Sequence, residues 1–503
     1  MLRVVIYSLA LAMFSSAGWP QTVTPLVNQP PGGIEFTMVL TDGTVMAHDL
    51  IYGNKWWKLT PDINGSYVNG TWTQMASLPV EYSPYAFASA VLADGRVIVV
   101  GGEYSGPTGA FTLTNEGAIY DPRSDTWTPV TPPPGIAYIG DSVSVVLPNG
   151  KFLIGDKLTK QMVELNPKTM RWKTVEAEGK RDIFSEEGWT LLPHGTVLTL
   201  DVTNAPHAEI YSPEEEEWTS AGNTPADLHS PTTVVGCVYY GPGGTLCYKP
   251  PGEIGPAILR PDGTVFATGS FANDDPNFGP GSAGHTAIYD THTGIWTSGP
   301  DFPNNDNAGD SWAVLLPNGN VLVAGLIDGY DFDGTNLTTN PVLAPFYLGS
   351  LSVLPSGEVL AGGFSIYAAY PTLVYTPPGV ADPAWEPKIS RIQEDELQPG
   401  STYRIWGRQF NGLSQGQSYG DELQAAQNYP LVRITNNLTH HVFYARTHDH
   451  STMGVATGEK LVWTNFDVPK DIEMGPSKLV VVANGIPSEP VTVQIHEADA
   501  GDR

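Results

Sequence analysis

Two histidines two residues apart, His448 and His450 in "ARTHDHSTMG", form the most compact metal-ligand pattern in the chain. On an extended segment, residues i and i+2 share a face, so both imidazoles can serve one ion. The competing use is ordinary: histidines that hydrogen-bond to steady a loop. The two cysteines, Cys237 and Cys247 in "GCVYYGPGGTLCY", are the softer candidates. The Gly-Pro-Gly-Gly between them permits a hairpin, which favours a disulfide stapling one loop over a reactive thiol or a thiolate site.

Carboxylates supply the remaining chemistry. "DGYDFDGTN", with Asp328, Asp331 and Asp333, lacks the spacing and closing Glu of a calcium loop and reads as a strand end and turn. Glu214 to Glu217 read as a solvated turn, and "NDDPN" (Asn273 to Asn277) as part of a long loop. Adjacent acids such as Glu186 and Glu187 diverge on a strand, so glycoside hydrolysis would need acids converging from different elements. There is no G-x-S-x-G elbow, P-loop or dinucleotide-binding fingerprint.

Such residues need a frame, and composition indicates which. Of 503 residues only 16% are charged, while 54 Gly and 44 Pro imply many tight turns. A net charge of −28 argues against phosphate-backbone binding and against adhesion to anionic membranes. Residues 1–17 read as a signal peptide: Arg3, an apolar run of 11 residues from Val4 to Phe14, then Ser15-Ser16-Ala17. That run is too short to span a bilayer, so export with cleavage is expected, to the extracellular space or a periplasm.

The strongest signal is repetition. Hairpin turns recur at Asp42-Gly43, Asp94-Gly95, Asn149-Gly150, His194-Gly195, Asp262-Gly263, Asn318-Gly319 and Ser356-Gly357, at intervals of 38 to 68 residues. "AIYDPRSDTWTPV", "EIYSPEEEEWTSA" and "AIYDTHTGIWTSG" repeat a Tyr seven residues before a Trp: Tyr120/Trp127, Tyr211/Trp218 and Tyr289/Trp296. The pattern predicts an all-β seven-bladed propeller over 22–387, with "TVTPLVNQP" completing the last blade. After residue 387 the period stops. "STYRIWG", "PLVRITN", "HVFYART" and "KLVWTNF" predict an immunoglobulin-like sandwich over 388–497, before an acidic tail at 498–503.

The repeats resemble kelch repeats, and the order of signal, seven blades and β-sandwich resembles galactose oxidase and the glyoxal-oxidase-type radical copper enzymes. That resemblance implies copper held by two tyrosines and two histidines, with one tyrosine cross-linked to a cysteine, and alcohols or aldehydes oxidised by O₂ to give peroxide. The family's propeller ligands lie eight or nine residues before each turn residue. There, this chain has Ala86 where the cross-linked tyrosine is implied, with Tyr85 one residue away, and Tyr347-Leu348 where a Tyr-His pair is implied. Thr447-His448 matches the ligand from the C-terminal domain, while no cysteine lies in the first blade. The set is incomplete, which argues against copper.

The same spacing falls on Ile34, Ala86, Asp141, Glu186, Ile254, Asp310 and Leu348 around the ring. Converging Asp141, Glu186 and Asp310 would suit Ca²⁺ or another divalent cation, with Tyr347, His448 and His450 as further candidates. The alternative is that these acids are solvated or bonded to loop amides. Trp189, Trp312 and Tyr85 are candidate stacking surfaces for a ligand, with blade-core packing the competing use. The expected function is non-catalytic binding of an extracellular small molecule or glycan at the channel mouth by a monomer. A copper oxidase with altered ligands, or a hydrolase using the converging acids, stands as the alternative.

Overall fold

The computed structural model describes residues 20–49, 53–230, 236–239, 245–248, 252–270, 283–365 and 368–497. The signal segment, "NDDPN" and the acidic tail lie outside the described residues.

Seven four-stranded antiparallel sheets form the blades. Their innermost strands are Ile34–Val39, Ala88–Val91, Ser144–Val146, Thr190–Leu191, Ala257–Leu259, Ala313–Leu315 and Ser350–Val353. These strands are buried on both faces because neighbouring blades pack against each face, so exposure does not alternate along them, and the polar residues they carry, such as Thr37, Ser89 and Ser352, are buried too. Each ends in a two-residue turn whose glycine takes the left-handed conformation, as at Gly43, Gly95 and Gly150. All seven turns therefore lie at one end of the channel, and the segments leading into the inner strands lie at the other, the mouth.

The N-terminal strand Thr22–Pro25 pairs with Leu373–Thr376, so the seventh blade is closed by the start of the chain. The Tyr/Trp repeat proves structural. Tyr120, Tyr211 and Tyr289 stand directly opposite Trp127, Trp218 and Trp296 across the two outer strands of their own blades. Outer-strand indoles then reach the preceding blade: Trp127 Nε1 donates to Ala76 O at 2.9 Å, Trp172 to Thr131 O at 2.8 Å and Trp296 to Ala221 O at 3.0 Å. One residue type thus fills the blade and ties it to its neighbour.

Apart from Gln417–Ser418, the strands of residues 388–497 form one sheet that curls on itself. Thr402–Arg408, Val462–Asp467, Val442–His448, Leu431–Asn436, Gly475–Ala483 and Val491–Ile495 follow one another in it. Ile405, Phe466, Val432, Leu479 and Val493 from its two halves share a single core, as in the sandwich the sequence predicts. This domain sits on the turn end: Thr447 N donates to Thr41 O and His450 N to Ala93 O, both at 3.0 Å. No helix among the described residues is long and apolar enough to cross a membrane.

Candidate functional site

The mouth is built by a repeated backbone device. Ala86, Glu186 and Asp310, each eight residues before its turn residue, hold φ at +51°, +54° and +48°, and Gly140 at +59° precedes Asp141 in the blade between. A left-handed L-residue costs roughly 1–2 kcal/mol, so its recurrence at equivalent positions of three blades marks a constrained site. Asp310 N donates to Ile254 O at 3.3 Å, linking two of these positions across neighbouring blades.

Asp141, Glu186 and Asp310 do converge, and four more acids join them. Glu103 comes from the end of the second strand of blade two, Glu253 from the lead-in to blade five, and Asp421 and Glu422 from the C-terminal domain. Lys157, fully buried, answers them: its Nζ pairs with Asp141 and lies 2.6 Å from Glu186 Oε1. Burial is the leading cause of the raised carboxyl pKa values here. It pushes Glu103 up to about 9 and Asp141 to about 6, with the neighbouring acids adding to it and Lys157 opposing it. Glu253 and Glu422 are likewise held well above the ordinary carboxylate range. Asp310, Glu103 and Glu253 still keep solvent contact, so the cluster is open to solvent at the mouth.

The floor comes from the other domain. Between Thr402–Arg408 and Leu431–Asn436, residues 411–429 thread the channel from the turn end. Gln417–Ser418 adds a fifth strand to blade six by pairing with Ala313–Val314. Gln415 Oε1 accepts from Leu191 N at 2.7 Å, and Gln424 O accepts from Ser89 Oγ at 2.6 Å, fixing the segment to blades four and two. Gly420 passes so near blade four that a Cβ on Gly188 would stand 2.5 Å from its carbonyl oxygen. Only a side-chain-free backbone fits there. The segment delivers Tyr419, Asp421 and Glu422 to the acid cluster, and Tyr419 packs 5.1 Å from Trp312.

Several candidate residues lie elsewhere. Thr447-His448 is placed at the turn end, roughly 25 Å of strand from the mouth. His448 pairs with Asp449 at 2.8 Å and Asp467 at 3.1 Å, while His450 is buried against Thr464 Oγ1 at 2.8 Å and burial lowers its pKa to about 3. The H-x-H pair is therefore loop-stabilising and cannot share an ion with Tyr347 or the mouth acids. Trp189 and Trp312, each 2% exposed, are blade core; Trp189 Nε1 donates to Glu187 Oε1 at 3.1 Å. Tyr85 stands at the mouth, 5.8 Å from Tyr104. Tyr347, 38% exposed, stacks at 6.0 Å on Tyr370 on the rim. Backbone strands place Cys237 opposite Cys247, but their side chains lie outside the described residues.

Glu186 and Glu187 diverge, but from a turn ahead of the strand and not by strand alternation: Glu187 turns to Lys180, 3.1 Å away inside blade four, together with Glu209 and Asp201. Asp331 and Asp333 serve their own strand and turn, accepting from Asn340 and from the amides of Thr335 and Asn336. The residues missed from sequence had signals. Glu103 and Lys157 follow second strands, whose ends lie at the same mouth as first-strand starts. "NGLSQGQSYGDELQAAQNYP" is a long polar stretch between strands, the kind of loop that carries function.

The assembled donors are carboxylate and phenol oxygens. Ala86 and Leu348 occupy two positions where the resemblance implies copper ligands, and His448 is at the far end. The residues present do not fit the radical copper centre.

Repeat, closure and inserted segment together define a kelch-type, galactose-oxidase-like propeller with a C-terminal β domain. The chain is 27% identical over 131 residues to a Kelch-like protein, terF, of Aspergillus terreus, matching 25% of this chain and 26% of that one. The alignment thus spans about a quarter of the curated relative. A fungal alcohol oxidase of the AA5 family in complex with copper shares 14% identity at a TM-score of 0.49, covering 95% of this chain and 99% of its own. Virginiamycin B lyase of Staphylococcus aureus, in a catalytically inactive form with quinupristin, shares 13% identity at 0.46, covering 71% and 99%. Likenesses at this level carry no argument about activity. No family model matches the chain.

Proposed function

We propose that the chain is an exported binding module that takes a polyhydroxylated ligand, a glycan, at the channel mouth. The observation that carries this reading is the gathering of acids from several blades, some of them in contact with solvent, around Tyr419 of the inserted segment. Protonated carboxyls such as Glu103 both donate and accept, while the Lys157-paired carboxylates accept, which matches the mixed character of sugar hydroxyls. Tyr85 at the wall and Tyr419 at the floor offer apolar faces for a sugar ring.

The test is a glycan array probed with the mature chain and with Tyr85→Ala. Saturable binding to a subset of glycans, weakened in the variant, is expected. Absence of binding, or binding indifferent to Tyr85, would refute the reading. A second reading, hydrolysis by a protonated acid and an ionised carboxylate, is favoured by the coexistence of both states in one cluster. It would show as reducing-sugar release from the bound glycans.

A further inference from the structure

In blades two to five, three positions come together at the mouth end of the outer strands. They are the residue just past the second strand, the one opposite it at the start of the third, and the one two beyond the outer-strand tryptophan. Blade two has Gly101, Glu116 and Pro129 there, blade three Asp156, Gln161 and Thr174, and blade five Gly269, His285 and Ser298. Blade four has Asp201, His207 and Ser220. Its neighbours fold without that combination, so the repeat does not require it.

In blade four the three side chains are joined. His207 Nδ1 lies 2.7 Å from Asp201 Oδ2, and Nε2 lies 2.8 Å from Ser220 Oγ. A carboxylate only accepts, so Nδ1 carries the proton and Nε2 is left to accept from the serine hydroxyl. That is the order of bonds in a Ser-His-Asp triad, which is recognised by geometry and not by sequence motif. Burial follows the same order: Asp201 is wholly buried, His207 is 7% exposed and Ser220 is exposed. Asp201 is itself fixed, by Asn204 Nδ2 at 3.1 Å and by the buried Lys180 ammonium at 3.7 Å. Both ring nitrogens of His207 are spent in these bonds, which leaves neither for the metal ion that Asp201, His207 and Glu209 could otherwise share. An extra residue in the outer strand between Ser220 and Asn223 breaks the register, and Gly222 N donates to Ser220 Oγ at 3.2 Å.

We propose that Ser220 is the nucleophile of an acyl-ester hydrolase site, with His207 as general base and Asp201 as the residue that positions it. Ser220 Oγ attacks the ester carbonyl carbon while its proton passes to His207 Nε2. The bond to the alcohol oxygen then breaks, and the alcohol leaves with that proton. Water, giving a proton to the same Nε2, attacks the acyl-serine; the acid is released and Ser220 regains its proton. Gly222 N, already beside the attacking oxygen, is the amide at hand for the oxyanion. One such amide, where a protease uses two, suits an ester, whose alcohol leaves more readily than an amine. The exposed serine suits a short acyl chain. The site lies on the outer strands of blade four, apart from the acid cluster, and does not depend on the glycan reading.

The mature chain would be treated with a fluorophosphonate, which phosphonylates activated serines, and the adduct located by peptide mass spectrometry. Turnover would be followed with p-nitrophenyl acetate. One adduct per chain, on Ser220, and saturable release of p-nitrophenol are expected. Ser220→Ala, at an exposed position, should abolish the adduct and lower turnover at least about a hundredfold. Ser298→Ala, the equivalent change in blade five, should alter neither. Asp201→Asn, with native circular dichroism, should lower kcat at least about tenfold and leave KM unchanged; an unchanged kcat would remove Asp201 from the site. No adduct on the wild type, an adduct on another residue, or one that survives Ser220→Ala would overturn the inference.

Discussion

Replacing Lys157 by methionine removes a charge while nearly keeping the volume, so the effect reports electrostatics rather than a cavity. Lys157 Nζ is wholly buried, paired with Asp141 and 2.6 Å from Glu186. Deleting one partner of a buried ion pair costs about 3–5 kcal/mol, because the remaining charge is stranded. The loss should depend on pH, and its sign follows from Asp141. Burial already raises that carboxyl to about 6, against the lowering influence of Lys157. A carboxyl raised in the folded state means that the folded chain binds more protons than the unfolded one between the two pKa values. Stability then falls as pH rises through that window, by up to 1.36 kcal/mol per pH unit per proton. Without Lys157 the Asp141 pKa rises further and the window widens upward, so the variant's deficit is largest in mild alkali and shrinks on acidification. Urea unfolding of both proteins at about pH 5.5 and about pH 8, followed by circular dichroism with chelator present, measures this. A deficit below about 1 kcal/mol at the higher pH, or one that is the same at both, would refute the argument.

Ala86→Gly should stabilise the chain by about 1 kcal/mol, since Ala86 sits at a left-handed φ that glycine adopts freely; a lower denaturation midpoint would count against it. Deleting residues 20–26 should lower the melting temperature by several degrees, because Thr22–Pro25 supplies the outer strand of the seventh blade. An unchanged melting curve would show that closure contributes nothing. Asp467 is held down to about 2, its accepted hydrogen bonds from His448 and Thr402 outweighing the opposing effect of burial. Its contribution, complete above the ordinary aspartate range, should fade as pH falls toward 2. Half-exposure trims this to about 1 kcal/mol, so wild type and Asp467→Asn should converge in stability at low pH; divergence there would sink the assignment.

Seven turns ending in glycine, five of them Asp-Gly or Asn-Gly, seven pairs of apolar runs and the Tyr/Trp spacing made the propeller legible in advance. Each is a local property: a hairpin needs its positive φ, and a strand buried between blades needs a largely apolar run. The closing strand was legible for the same reason. Asp141, Glu186 and Asp310 could be placed at one end of the channel because strand length converts sequence offset directly into height along the axis. The Thr-His match misled for His448. It matched a motif but belongs to a domain whose docking no local pattern encodes, and it came to rest at the opposite end. Glu103, Lys157 and the adjacent pair Asp421-Glu422 come from three distant parts of the sequence, and only ring closure and the threading of residues 411–429 bring them together. Whether a carboxyl there is charged depends on its distance from Lys157 and from water, and those distances exist only once the blades have closed around the segment.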